Sequence, residues 1–219
     1  MKRFNDYDEI EVKEFTAYEK IELGGHILKI LEVKTETVQG KEGTFEQLVL
    51  KYDMDDSDIQ AGYYARRFKQ DAEADAMNAK WKGYYKVYIP KDDGSEKDKT
   101  TKESFKRFIT CVEKSNDGYS WEKADWDEKT LVGKKIVGVF GIREFVNNQG
   151  LTISFTECRF VRSLKEGMEN IPIPKVKLAD GTLMEYDDWE ERQKESEGKK
   201  SETNEFTVSN DDDDDDLPF

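Results

Sequence analysis

The sequence predicts a mainly β fold with inserted helices, followed by a polar, acidic C-terminal tail. Three observations predict it. Several segments rich in β-branched and aromatic residues alternate apolar and polar positions with period 2. Two stretches between them repeat apolar residues at helical spacing. From Pro172 onward the core pattern stops.

Residues 1–18 read as an arm, with Phe4, Tyr7, Ile10, Val12 and Phe15 scattered among polar residues. Gly24-Gly25 precedes HILKILEVKTETV (26–38), a long strand, with the turn at Lys41-Glu42-Gly43. In FEQLVLKYDM (45–54), Leu48, Leu50, Tyr52 and Met54 alternate with Gln47, Val49, Lys51 and Asp53, which completes a hairpin. Residues 58–80 read as a helix, with Phe68, Ala72, Ala76 and Ala79 as its apolar stripe. YYKVYIP (84–90) is a strand stopped by Pro90. Thr100 or Thr101 caps a second helix that runs through Asn116 and buries Phe105, Phe108, Ile109 and Val112. In the connection after it, Trp121 and Trp126 read as packing at a barrel end. KIVGVFGIREFV (135–146) is a strand whose Gly138 and Gly141 mark a bend or a close approach. LTISFTECRFVRSL (151–164) is the last strand. The order β-β-α-β-α-β-β with glycine bends fits a small closed sheet, and the expected architecture is an OB-type five-stranded β-barrel over 19–170. A largely disordered linker is expected over 171–210, because EERQKESEGKKSETNE carries many charges and no apolar residue.

Charge is divided along the chain. The formal net charge is −14, of which residues 185–219 carry −11 and the preceding 184 residues only −3. A near-neutral body accommodates a basic groove, because local field attracts phosphate. Cys111 and Cys158 lack CxxC spacing and read as reduced thiols of a cytoplasmic protein. No apolar run is long enough to cross a bilayer, so no membrane partner is expected. The sequence has no Walker loop, no GxGxxG and no Cys/His cluster, and it has one histidine, His26. An enzyme, a cofactor and a metal site are therefore not expected.

The terminus is distinctive: Asp211–Asp216 are followed by Leu217-Pro218-Phe219. Pro218 restricts the backbone before the end, Phe219 offers a ring and an α-carboxylate, and the aspartates steer the segment toward a basic partner. The ending DDDDDDLPF resembles the acidic tip of bacterial single-stranded DNA-binding proteins. The longer, helix-decorated body and the Lys/Glu-rich linker depart from the bacterial family, and a decorated body with an acidic tail ending in an aromatic residue resembles phage-encoded single-stranded DNA-binding proteins more closely than bacterial tetramers. The resemblance implies an OB-fold that binds single-stranded DNA in replication, recombination and repair. It also implies a tip (Asp214, Asp215, Asp216, Leu217, Pro218, Phe219) that recruits a helicase, primase, nuclease or recombination mediator. A homo-oligomer is compatible with the sequence. The alternative is an accessory protein that uses the tip to compete for the partners of a host single-strand binder.

Single-strand binders need cations for phosphates and rings for bases. Candidates are Arg66, Arg67, Lys80, Trp81, Lys82, Tyr84, Lys86, Tyr88, Lys134, Lys135 and Arg143. Trp81 reads either as a base stacker or as a core plug. In the 84–90 strand, Tyr85, Val87 and Ile89 share one face, and Tyr84, Lys86 and Tyr88 share the other, which mixes rings with charge.

Overall fold

The computed structural model describes residues 19–40, 43–168 and 171–202. The expected arm (1–18) and tip (211–219) lie outside the described residues. The described residues form seven strands and three α-helices. They fall into two compact units, one within Met1–Phe140 and Cys158–Ile171, the other within Gly141–Glu157 and Pro172–Phe219.

In the first unit, β1 (Gly24–Gly40), β2 (Gly43–Met54) and β3 (Tyr84–Tyr88) form an antiparallel meander. The first half of β1 also pairs with β4 (Lys135–Val146), from Gly24↔Phe140 to Lys29↔Lys135, and β4 pairs with β5 (Thr152–Arg162). The register of β1 against β2 shifts at Leu31. This bulge moves the core-facing set from Leu28 and Ile30 to Val33 and Thr35, which keeps the apolar face toward Leu48, Leu50 and Tyr52. The order β-β-α-β-α-β-β expected through 164 is observed. The five-strand closure expected of a barrel is not among the strand pairs found, which run β3-β2-β1-β4 with β5 beside β4. Gly138 is a close approach, as expected: a Cβ there would lie 2.5 Å from Leu28 Cδ1 and 3.1 Å from the Cys158 sulfur.

Both helices depart from their predicted bounds. α1 covers Tyr63–Ala74, not 58–80, and buries Tyr63 and Tyr64, whereas Phe68 is 39% exposed. It has no side-chain cap of its own at Gly62. Instead the Asp53 carboxylate, reaching from β2, accepts Tyr64 N (2.8 Å) and Ala65 N (3.1 Å). Asp75 ends the helix, since its carboxylate accepts Met77 N and Asn78 N and so competes with the helical ladder. α2 covers Glu96–Ser115, and its cap is Ser95, which accepts Asp98 N, rather than Thr100 or Thr101. Those two hydroxyls bond back to the Glu96 and Lys97 carbonyls inside the helix. Phe108, Ile109 and Val112 are buried as predicted.

In the second unit, the expected linker is ordered as far as residue 202. β6 (Val176–Lys177) pairs with β4 at Arg143↔Lys177, β7 (Leu183–Met184) pairs with β6, and α3 spans Tyr186–Glu202. Val176 is fully buried, and the Trp189 indole donates to the buried Glu144 carboxylate at 2.7 Å. Two anchors set far apart in a polar sequence suffice here, and composition averages them away. Among the described residues, no helix is long and apolar enough to cross a membrane.

Candidate functional site

The outward face of β2 and β3 gathers rings and ammonium groups. Strand alternation turns Tyr85 and Val87 inward and leaves Tyr84 41% and Tyr88 57% exposed, with Lys86 exposed between them. Register sets Lys51 opposite Tyr84, Val49 opposite Lys86 and Gln47 opposite Tyr88. From β1, Glu32, Lys34 and Glu36 extend the same three rows. Phe45 closes the end of the face, its ring edge-on to Tyr88 at 5.2 Å. Tyr84 and Tyr88 are four residues apart on a strand, hence roughly 13 Å.

Not every cation on this face is available. Lys34 and Lys51 lie 3.5 and 3.9 Å from the Glu32 carboxylate. Lys86 and Lys80 have no ion pair among the described residues. Trp81 packs on Tyr64 and Phe68, its N–H donates to the Tyr52 and Gly83 carbonyls, and the Lys51 ammonium sits 4.8 Å above its ring. Its ring is thus engaged by the protein, and it anchors the β3 end of the face.

The remaining predicted residues do not join this row. Arg67 and Lys82 share Asp71, at 3.2 and 2.7 Å. The Lys82 hydrogen bond lowers the Asp71 carboxyl below its ordinary value. Arg66 pairs with Glu19 at 2.7 Å. Lys134 lies 4.6 Å from the Tyr119 ring, and Lys135 pairs with Asp55 at 2.8 Å. Arg143, in the second unit, pairs with Glu157 at 3.6 Å. Phe45, Lys34 and Lys51 were missed. The alternation in 45–54 already placed Lys51 away from the core, but only the strand register shows it opposite Tyr84.

A buried polar cluster holds the start of β1. His26 is 1% exposed, its Nδ1 is 2.9 Å from Asp58 Oδ1, and its Nε2 is 2.9 Å from the Glu22 carbonyl. Both partners are acceptors, so the ring satisfies both only as an imidazolium. Burial opposes that charge, yet the bonds to Asp58 and Glu22 raise the His26 pKa above its ordinary value. The same cluster clasps the incoming chain: Gln60 bonds Glu22 N, Lys20 O and Glu19 Oε1. This is structural chemistry. No group of three His, Cys, Asp or Glu side chains among the described residues is placed to hold a metal ion.

Comparison of the sequence with protein-family models and with curated proteins finds no match to either.

Proposed function

We propose that the chain binds single-stranded DNA without sequence preference, through the outer face of β2 and β3, and recruits partner proteins through Asp211–Phe219. The observation that carries this reading is the row Tyr84–Lys86–Tyr88, exposed on β3 and backed by Phe45 and Lys51 of β2. Rings accept bases of any identity, and an ammonium between them meets a phosphate. The fold supports the reading. The β1-β2-β3 meander, the helix between β3 and β4 and the pairing of β1 with β4 are features an OB-type barrel also has, and such barrels commonly bind oligonucleotides on their second and third strands.

Anisotropy of labelled oligo-dT at two salt concentrations tests it. Tyr88→Ala should weaken binding by roughly tenfold, in line with ~1–3 kcal/mol per stacked base. Lys86→Ala should weaken binding and lower the salt slope by about 1, the signature of one lost phosphate contact. Arg143→Ala should leave both unchanged. Absence of oligo-dT binding by the wild type, with tip-dependent capture of a helicase or nuclease retained, would establish the accessory role instead.

A further inference from the structure

The first unit holds a second cleft, on the core side of the sheet. After the bulge in β1, the core face reaches Thr35, which is exposed, opposite Leu48. There the interior opens into a cavity of about 310 Å³ lined by Leu48, Ile89, Pro90, Phe105, Trp121 and Trp126, with Glu128 at its margin. That volume lies at the small end of ligand pockets.

Two features of this cleft lack an explanation in packing. Trp121 is only 5% exposed, and its indole N–H has no hydrogen-bond partner. Among the described residues the other buried side-chain atom without a hydrogen bond, Asp98 Oδ2, has the Lys102 ammonium at 3.0 Å, which leaves the Trp121 N–H as the unpaired donor. A buried donor left unmade is costly and calls for an acceptor. Second, Trp126 is 64% exposed and stands in the left-handed region at φ 60°, directly after Asp125 at φ 53°. Asp tolerates that region, but a tryptophan does not, and such outliers concentrate at binding sites. The bond from Trp126 N to Trp121 O (3.2 Å) holds the turn, with the Trp126 ring edge-on to Trp121 at 6.1 Å.

The chemistry of the margin selects the ligand. Glu122, Asp125, Asp127 and Glu128 surround Lys123 in the loop that carries both tryptophans. With Lys129 beside Glu128, four carboxylates stand against two ammonium groups over 122–129, a net negative stretch that repels phosphates and attracts a basic segment. An extended polyproline-type peptide has no internal hydrogen bonds, so its carbonyls are free to accept, and its rings pack on tryptophan faces. We propose that the Trp121–Trp126 cleft docks an extended, proline-containing segment with basic flanks from a partner protein, one of whose carbonyls accepts the Trp121 indole N–H. The site is separate from the β2–β3 face and does not depend on DNA binding there.

The four tryptophans give a direct test in the ¹⁵N-labelled full-length protein. The probes are two decapeptides with the same Pro-x-x-Pro core, one flanked by lysines and one by glutamates, and oligo-dT. The lysine-flanked peptide should shift the Trp121 and Trp126 indole signals, moving that of Trp121 downfield. The Trp81 and Trp189 signals, already bonded internally, should stay in place. The glutamate-flanked peptide should bind at least tenfold more weakly. Trp126→Ala and Trp121→Phe should each lose at least tenfold in peptide affinity while keeping wild-type oligo-dT affinity and unshifted Trp81 and Trp189 signals. A lysine-flanked peptide that leaves Trp121 and Trp126 unmoved at millimolar concentration overturns the proposal. So does oligo-dT moving those two signals, which would assign the cleft to nucleic acid.

Discussion

Single buried carboxylates set much of this protein's response to pH. The His26–Asp58 pair has opposite shifts: His26 is raised above its ordinary value, whereas Asp58 is lowered, because the hydrogen bonds from His26, Gln60 N and Ile27 N outweigh the effect of its burial. The His26 contribution is therefore whole below about pH 6.5 and fades as pH rises through its higher folded value. The Asp58 contribution is whole above about pH 4 and fades as pH falls through its lower folded value. Asp55 behaves like Asp58: burial pushes its carboxyl up, but bonds from Lys135 and Ser57 bring it down to about 2. Thermal midpoints across pH 2–9 check this. The wild type should lose stability between pH 6 and 9, and His26→Gln should flatten that limb. Asp55→Asn should cost about 2 kcal/mol at pH 7 and flatten the acid limb instead. The sequence shows His26 as its one histidine, but the carboxylate partner lies 32 residues away, and periodicity carries no information on such pairs.

At the scale of elements, the strands were the most legible part of the sequence. Alternation in 45–54 and 84–90 gave the apolar, core-facing side of both strands, although Gln47, Val49 and Asp53 on the other side of β2 are buried as well. Helix ends were less legible. The start of α1 is set by Asp53 from another strand, and the apolar stripe through Phe68 lies largely at the surface. In the second unit the strand segments within 141–157 were legible but α3 was not: residues 190–205 lack apolar side chains, and the buried Trp189 anchors the helix through Glu144. Its energetic weight is open to measurement. Trp189→Phe keeps a ring but leaves the buried Glu144 carboxylate without its donor, so it should cost ~1–3 kcal/mol. Hydrogen exchange should locate that loss in α3 and β6, with β1–β3 amides protected as in the wild type.

For the whole molecule, the dominant property is the separation of charge, −3 over the first 184 residues and −11 over the last 35. A single-strand binder with such a terminus carries its own competitor for phosphate. Removing Asp211–Phe219 should tighten oligo-dT binding severalfold at low salt and leave it unchanged at several hundred millimolar salt, where exposed charges are screened. Unchanged affinity at low salt would show that the tail does not compete with DNA. The candidate DNA face was half legible in this sense: the Tyr84–Lys86–Tyr88 row follows from one strand's alternation, whereas its neighbours on β1 and β2 follow from a register that no local pattern encodes.

The Asp53 carboxylate that holds the beginning of α1 also imposes a sequence of events. A twelve-residue helix without its own cap is too short to persist in water. It should gain its first turn only once the β1–β2 hairpin has delivered Asp53. The expected order is hairpin first and α1 second, so changes along the helix should act chiefly on the unfolding rate and changes in the hairpin on the folding rate, which refolding and unfolding kinetics in denaturant check.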